Sequence, residues 1–487
     1  MNNGKYYELS KKEKINLALL RAYKPAPKSS AEIPIGLLYI ISALRNKFPG
    51  RFNYKIIDMP LHTMSVNSAY KALTDFKSDI VGISAFTYEN QIVRSLVEKI
   101  KDNQPGIPVI IGGPYASAST GLALKENPRA DYIFIGEAEI RLPLLMDAII
   151  SNKSVKDIYG IAYWENESPV IHKPAEYIQD LDSLPNPAWD MLDIDSYNKS
   201  PLRPTNHFRK QKRVVPVFST RGCPYRCAYC HKIFGKSLRI RSADNFFSEL
   251  MDLYENHGVR EIHVLDDAFN LAKERMREIC NLIIKNRLRL SIGFSSGLRG
   301  DQLTFEDVDL LKKAGAYFIR YAVETASPRL QEKIHKYVNL PKLSDIIEYT
   351  AKKGIFTQGL FMLGFPTETL DEINTTVNFA LKSSFHSISA FQVVPFPGTD
   401  LYDMAKEIYP DYEYNDSYLF FSGKSFYQEY TGIDLNPIQK RMYQKFYYNP
   451  LRIYRIIKDL PEKSSLISSA GIILNNTILR NIWVKKN

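Results

Sequence analysis

The chain has few of the residues that build disulfide scaffolds, and it has no long apolar run. Only four of its 487 residues are cysteines, which excludes a small disulfide-stabilised secreted domain. No stretch reaches the roughly 18 apolar residues that a membrane-spanning helix needs. The polar start and the short apolar stretch at residues 15–20 do not match a secretory signal. We therefore expect a cytoplasmic protein without a transmembrane segment.

Basic residues only slightly outnumber acidic ones. Lys and Arg number 64 against 53 Asp and Glu, for a formal net charge of +11. The basic residues are spread through the chain among acidic ones, and no basic run is interleaved with aromatic residues, so we expect no nucleic-acid partner. Hydrophobic residues make up 45% of the chain, which is enough for large cores, and the length predicts two or three domains.

The cysteines are concentrated in one short segment. Cys223, Cys227 and Cys230 follow the spacing C-x3-C-x2-C. Three thiolates of this kind hold three irons of a [4Fe-4S] cluster and leave the fourth iron open to a ligand. A structural zinc site needs a fourth ligand, which here would be the adjacent His231 or the distant Cys280. The spacing therefore favours the cluster, and Cys280, among apolar neighbours, is expected to be a buried hydrophobe.

The first 175 residues alternate apolar strands with helices, which predicts a doubly wound, parallel, Rossmann-like sheet. Ligands of such sheets bind at the carboxyl ends of the strands. The special residues at those ends are glycines, hydroxyl residues and an acid; each glycine can also be explained as a tight turn. The candidate binding residues are Ser84, Thr87, Gly112, Gly113, Gly136 and Glu137.

Residues 206–410 repeat a strand-then-helix unit about six times, which predicts a partial, open (β/α)6 TIM-type barrel. In barrels the chemistry takes place at the carboxyl ends of the strands, and the cysteine segment follows the first strand. The predicted strands are Val214–Thr220, Glu261–Leu265, Ile292–Ser296, Tyr317–Val323, Thr357–Leu363 and Ile388–Val394.

Two further segments complete the predicted organisation. Residues 176–205 contain a Pro-rich stretch and are predicted to be a linker. Residues 411–487 are aromatic and basic with helical spacing, and we expect a helical region packed on the barrel. An alternative is contact with a membrane surface through Arg452, Arg455 and Lys458.

The run Cys223-Pro-Tyr-Arg-Cys227-Ala-Tyr-Cys230 resembles the signature of the radical S-adenosylmethionine (radical SAM) enzymes. The first domain, with Val81-Gly-Ile-Ser, Ile111-Gly-Gly-Pro and Gly136-Glu-Ala-Glu, resembles the cobalamin-binding domain that precedes the barrel in one large subfamily. The resemblance implies three cofactors: a [4Fe-4S] cluster, S-adenosylmethionine (SAM) and cobalamin. The Asp-x-His-x-x-Gly motif of other cobalamin proteins is missing, because Asp58 is followed by Met-Pro-Leu-His62. The resemblance then implies either cobalt without a protein His ligand or a domain that has lost the cofactor.

The same resemblance suggests which residues contact SAM. Asp266 and Asp267 replace the family's Gly-Gly-Glu-type element that binds the methionine amino group, although an acid pair can also be solvated or cap a helix. Glu324 matches a family glutamate that contacts SAM, and it could instead pair with Arg320. Further candidates at the strand ends are Tyr229, Ser296 and Leu363.

The expected function is reductive cleavage of SAM to functionalise an unactivated carbon, with methyl transfer as the first hypothesis. Alternatives are radical ring formation, ring contraction or oxidative rearrangement, and a non-enzymatic cluster or corrinoid sensor. The implied partners are a small-molecule, lipid or natural-product substrate and an electron donor such as flavodoxin or ferredoxin. The substrate itself is not identified by the sequence.

Overall fold

The computed structural model describes residues 7–25, 31–174, 176–200, 202, 208–231, 233–415, 418 and 423–461. The described residues form two compact units. The first comprises those of Met1–His207 together with Lys232–Gly235, and the second those of Phe208–His231 together with Lys236–Asn487. The boundaries assigned to linker and C-terminal region stay predictions, and residues 462–487 of the predicted helical region lie outside the described residues.

The first unit is built on a seven-stranded sheet. The sheet has the order β2-β1-β3-β4-β5-β6-β7, and β1 to β5 are parallel. From β1 the chain first adds β2 on one side and then β3, β4 and β5 on the other, which is the strand order of a doubly wound sheet. The strands are β1 (Ile15–Arg21), β2 (Phe52–Asp58), β3 (Ile80–Ser84), β4 (Val109–Gly112), β5 (Tyr132–Phe134), β6 (Ile161–Glu165) and β7 (Ser168–Ile171).

Helices cover both faces of this sheet. Leu17 and Leu19 of β1 pack into one apolar cluster, and the alternate residues Ala18 and Leu20 pack into another, so β1 is buried on both sides, as the continuous apolar run predicts. The helices are α1 (Tyr7–Lys11), α2 (Ile35–Lys47), α3 (Val66–Asp75), α4 (Asn90–Asn103), α5 (Gly113–Ala118), α6 (Thr120–Glu126), α7 (Leu142–Ile150) and α8 (Ile194–Lys199).

An antiparallel hairpin at the edge of this sheet was not predicted from the sequence. β6 pairs antiparallel with β5 and with β7. The two-residue turn between β6 and β7 places Asn166 and Glu167 at φ 49° and 63°, the backbone of a tight hairpin turn. An Asn-Glu turn lacks the glycine that normally marks such turns, so the sequence signal is weak. The sequence run 131–139 predicts a longer strand than the structure has at this point, since β5 ends at Phe134.

The second unit is built on a six-stranded parallel sheet with the order β15-β14-β13-β12-β11-β8. This is the strand order of the predicted partial barrel, in which each strand pairs with the next. Its strands are β8 (Val214–Val217), β11 (Glu261–Val264), β12 (Ser291–Leu298), β13 (Ala316–Glu324), β14 (Phe356–Leu363) and β15 (Ser387–Gln392). Two short strands, β9 (Thr220–Arg221) and β10 (Arg239–Ile240), pair antiparallel on either side of the cysteine segment.

Local signals fix the ends of several helices of this unit. Thr304 and Asp307 form a capping box at the start of α11, and Gly315 ends that helix at φ 112°, a conformation that favours glycine. The helices are α9 (Ala243–Glu255), α10 (Lys273–Lys285), α11 (Phe305–Ala314), α12 (Pro328–Lys333), α13 (Leu340–Lys352), α14 (Leu370–Lys382), α15 (Asp400–Ile408), α16 (Phe426–Thr431), α17 (Asn436–Tyr447) and α18 (Pro450–Asp459).

The C-terminal helices cover the last strand of the sheet. In α17, the Tyr443 hydroxyl accepts a hydrogen bond from Ala390 N at 2.9 Å, and Gln439 donates to Ala390 O at 2.6 Å. These bonds satisfy an edge that would otherwise be exposed. Arg452 is buried and donates to three backbone carbonyls, and Arg455 donates to Ser384 O.

Two of the three basic residues considered for membrane contact are therefore turned toward the protein. Within the described ranges, no helix is both long and apolar enough to cross a membrane.

Candidate functional site

The cysteine segment lies at the carboxyl end of the first barrel strand. Cys227 is buried, Cys223 and Cys230 are half-buried, and all three are free thiols. The backbone at Ala228 is fixed from two sides: its N–H donates to Ile334 O at 2.9 Å, and its carbonyl accepts from Leu401 N at 2.8 Å. The folded chain thus presents the three thiols on a segment that is braced by more distant elements.

Burial affects the protonation of two of these thiols. Burial and the nearby Asp267 and Cys227 together raise the pKa of the Cys230 thiol to about 12. Burial likewise raises the pKa of Cys223. Thiols in this environment stay protonated unless a metal supplies the compensating positive charge. The segment is therefore suited to a metal-centred group rather than to a free nucleophilic thiolate.

The three thiols fit a cluster better than a single ion. In the part of the chain that the structure describes, no group of three or more His, Cys, Asp or Glu side chains is arranged to hold one metal ion. A structural zinc needs four ligands that converge on a point. In a [4Fe-4S] cluster each thiolate binds a different iron at the corner of a cube, so three cysteines can hold it without converging on one point. Cys280, by contrast, is buried in α10, as predicted.

The neighbouring acids Asp266 and Asp267 have different surroundings. Asp266 is buried, and it accepts hydrogen bonds from the backbone N–H of Ser219 at 2.6 Å and from the Ser219 hydroxyl. It holds the end of the first barrel strand in place. Asp267 is about a quarter exposed and lies 3.6 Å from His231 Nε2, and its charge acts on Cys223 and Cys230. Of the two predicted SAM ligands, Asp267 is therefore the one that faces the cysteines.

Glu324 ends β13 next to the cysteine segment. Its carboxylate accepts from the Tyr229 hydroxyl at 3.3 Å and lies 3.7 Å from Lys336 Nζ. Burial raises the pKa of Glu324, while Lys336 and Tyr229 lower it. Arg320 bonds to Gln358 at 2.7 Å and to Ser295 O at 2.8 Å. The alternative pairing of Glu324 with Arg320 is thus replaced by a pair with Lys336, a residue that sequence reasoning missed.

The remaining predicted positions are at strand ends but differ in exposure. Ser296 is exposed near the carboxyl end of β12. The Leu363 side chain is fully buried, which leaves only its backbone to meet a ligand. The loop after Leu363 contains a second residue that was not predicted. Glu368 accepts from Gly364 N at 2.5 Å and Phe365 N at 3.0 Å, and burial raises its pKa to about 8.

The inner wall of the barrel sheet is partly open. On β13, the Tyr321 hydroxyl contacts Thr350 of helix α13, so alternate residues of this strand point away from the helices. These inner positions on three strands are half-buried, whereas their neighbours are buried. They are Arg320, Ala322, Leu360, Met362, Ser389 and Phe391. This wall is mainly apolar and includes the fixed cation of Arg320.

The carboxyl edge of the first sheet brings predicted and unpredicted residues into one row. Arg21 is paired in register with Asp58 and with Ser84, and Ser84 with Gly112. Gly113, at φ 83°, lies so close that a side chain there would meet Ser84 Oγ at 2.6 Å. Gly113 therefore allows a close approach to Ser84 and Ala85 that a side chain at this position would prevent.

The other predicted residues of this domain have structural partners. Gly136 N donates to Ser117 Oγ at 2.9 Å, and the buried Glu137 accepts from Ile178 N at 2.8 Å. Thr87 begins a single helical turn at residues 87–89. His62, which follows Asp58 at a spacing that does not match the cobalamin motif, is exposed.

Two buried carboxyls at this edge were not predicted. The Tyr197 hydroxyl donates to Asp58 Oδ2 at 2.6 Å, while Asp58 Oδ1 is buried without a hydrogen-bond partner among the described residues. Burial raises the pKa of Glu89 to about 7. These carboxyls and the glycine pair lie at the carboxyl ends of the strands, where doubly wound sheets bind their ligands.

Models of known protein families match both the first domain and the barrel of this chain. Residues 29–146 match the B12 binding domain, and residues 217–380 match the Radical SAM superfamily. The second match contains all three cysteines. The chain belongs to the radical SAM enzymes that carry a cobalamin-binding domain. The predicted family, fold class and cofactor classes are confirmed at the level of these domains.

The curated relatives of this radical SAM protein include methyltransferases and a cyclase. An uncharacterised methyltransferase of Pyrococcus horikoshii is 29% identical over 90% of this chain and 92% of its own. The cytidylyl-2-hydroxyethylphosphonate methyltransferase of Streptomyces wedmorensis is 25% identical over 76% and 77%. The anaerobic magnesium-protoporphyrin IX monomethyl ester cyclase of Rubrivivax gelatinosus is 26% identical over 76% and 65%.

Solved structures share the fold of this cobalamin-type radical SAM chain. The radical SAM methyltransferase TsrM from Kitasatospora setae matches with a TM-score of 0.65 and 19% identity, over 80% of this chain and 76% of that one. The cobalamin-dependent radical enzyme OxsB matches with a TM-score of 0.62 and 20% identity, over 82% and 56%. The roles of the individual site residues stay predictions.

Proposed function

We propose that this protein is a cobalamin-dependent radical SAM enzyme that functionalises an unactivated carbon, most readily by transferring a methyl group to it. The observation that carries the proposal is the union of two features in one chain. A three-cysteine segment follows the first strand of a partial barrel, and a closely packed glycine pair ends a strand of a B12-type sheet. When bound, the cluster supplies the electron that splits the SAM sulfonium, and cobalamin supplies a carrier for the methyl group.

The chain's own residues have positioning roles in this proposal. Cys223, Cys227 and Cys230 hold the cluster. Asp267, next to the cysteines and partly exposed, accepts from the methionine ammonium of SAM, because a carboxylate is the natural partner of that group. Asp266 keeps the strand end fixed through Ser219. This assignment divides the predicted acid pair into one ligand and one support.

We infer a small-molecule substrate with both apolar and polar parts. The inner wall offers apolar side chains such as Leu360, Met362 and Phe391 next to the cation of Arg320. Such a wall suits an apolar body with one acceptor or anionic group. We also propose a flavodoxin or ferredoxin as electron donor and a cytoplasmic location, where a reducing environment protects the cluster.

The proposal is tested by purifying the protein without oxygen and adding SAM with a labelled methyl group and a chemical reductant. We expect iron–sulfur and corrinoid absorption together, release of 5′-deoxyadenosine, and label in the bound corrinoid. A variant with all three cysteines replaced by alanine should release no 5′-deoxyadenosine. If that variant cleaved SAM reductively, the assignment of the cysteines would be wrong.

The same experiment separates two other functions. Relatives named as magnesium-protoporphyrin cyclases favour radical ring formation as the second candidate, which predicts 5′-deoxyadenosine but no label in corrinoid or product. A sensor predicts bound cofactors and no turnover of SAM.

A further inference from the structure

A buried lysine faces the carboxylate at the end of β13. Lys336 is only 6% exposed, and its Nζ lies 3.7 Å from Glu324 Oε1 and 5.7 Å from the centre of the Tyr229 ring. Tyr229 in turn donates to the same oxygen of Glu324. The buried Lys336 and Glu324 and the half-buried Tyr229 form a group directly beside the cysteine segment, because Tyr229 precedes Cys230 in the chain.

The backbone around Lys336 is held in an unusual conformation. His335 and Tyr337 both have positive φ, at 53° and 48°, which is costly for residues other than glycine. Arg299 donates to the carbonyls of Lys336 at 3.0 Å and Tyr337 at 3.1 Å. A segment held at this cost by a distant arginine indicates that the inward direction of Lys336 serves a purpose.

Glu324 shows the same kind of constraint. It also has a positive φ, 63°, and an irregularity in the β13–β14 pairing separates it from Ala322. A buried carboxylate without a nearby cation takes up a proton and loses its ability to accept from a cationic ligand. Lys336 is the cation that the described residues place against it. Lys336 opposes the rise that burial causes in the pKa of Glu324, and its ammonium lies where it can hold the carboxylate in place next to the cysteines.

We propose that Lys336 is a positioning residue for SAM: it fixes the Glu324 carboxylate, and through it the Tyr229 hydroxyl, in the arrangement that receives the cofactor. The inference rests on the proposed function, since it requires that SAM bind beside the cysteines. No position of the cysteine signature or the predicted strand ends includes Lys336.

The test measures SAM affinity by anaerobic equilibrium dialysis on cluster-loaded protein, with iron and sulfide content measured in parallel. We expect Lys336→Met to weaken SAM binding at least tenfold at unchanged cluster content, and Lys336→Arg to restore most of the affinity. The spectrum of the reduced cluster in electron paramagnetic resonance should respond to SAM in the arginine variant and not in the methionine variant. Lys342→Met, an exposed lysine of α13, is the matched control and should match the wild type.

A double variant distinguishes positioning from direct contact. If Lys336 acts through Glu324, adding Lys336→Met to Glu324→Gln should cause no further loss of affinity. An additive loss would overturn the positioning role, as would wild-type affinity in Lys336→Met. If Lys336→Met does not fold, Lys336→Gln against Lys336→Arg carries the same comparison. A wild-type protein that holds a cluster but binds no SAM would overturn the proposed function together with this inference.

Discussion

At the scale of single residues, two adjacent aspartates have different surroundings. Asp266 and Asp267 are adjacent, yet the first is buried against Ser219 and the second faces the cysteines. Consecutive residues after a strand point in different directions, so only one of the two can approach a ligand from the open side. The sequence offered both acids as candidates, because composition alone does not distinguish them.

Replacing these acids one at a time should separate stability from binding. Asp266→Ala leaves the buried N–H and hydroxyl of Ser219 without their acceptor, so we expect the free energy of unfolding to fall by about 2–4 kcal/mol. Asp267→Ala should change it by less than about 1 kcal/mol but weaken SAM binding. Denaturant unfolding and dialysis measure the two effects, and equal destabilisation by both would contradict this division.

Glu368 makes stability depend on pH. Its pKa is about 8 in the folded protein because burial disfavours the carboxylate, so the folded state binds more protons than the unfolded state between the ordinary glutamate pKa and pH 8. Its contribution to stability is therefore present at low pH and lost as the pH rises through 8. We expect Glu368→Gln to raise the thermal unfolding midpoint relative to the wild type at pH 9 but not at pH 5.

The control for this prediction is a nearby glutamate with the opposite shift. The Arg329 guanidinium beside Glu372 lowers the pKa of that carboxyl to about 2, so its stabilising contribution is present above the ordinary glutamate pKa and is lost in acid. Glu372→Gln should therefore lower the midpoint at pH 7 and pH 9. A Glu368→Gln variant that follows the wild type at every pH would show that Glu368 is not protonated at neutral pH.

At the scale of elements, the close approach of β4 and the loop after β3 depends on one glycine. Gly113 combines a positive φ with a 2.6 Å approach of its missing Cβ to Ser84 Oγ. We expect Gly113→Ala to lower stability by about 1–3 kcal/mol and to reduce uptake of hydroxocobalamin, measured as corrinoid absorption after gel filtration. Gly121→Ala, in α6 with open space around it, should be neutral or slightly stabilising. Normal corrinoid uptake by Gly113→Ala would place the cobalamin elsewhere.

At the scale of the whole molecule, the two compact units each have their own sheet. A unit with its own core retains its binding properties when a site in the other is removed. We therefore expect the Cys223→Ala, Cys227→Ala, Cys230→Ala variant to lose iron–sulfur absorption and still to take up hydroxocobalamin with wild-type affinity. Loss of both cofactors would show that the units do not bind them independently.

The sequence by itself determined the fold class and the family, and it supplied the three cysteines that we propose bind the cluster. These depend on local patterns: apolar runs of strand length, helical spacing and a three-cysteine signature that needs no distant partner. The sequence did not predict the antiparallel hairpin β6–β7, because an Asn-Glu turn is a weak hairpin signal. Only the tertiary structure decided the partners of charged residues. Lys336 and Asp58 contact Tyr229 and Tyr197, which lie far away in the chain, and burial in the folded protein raises the pKa of Glu368.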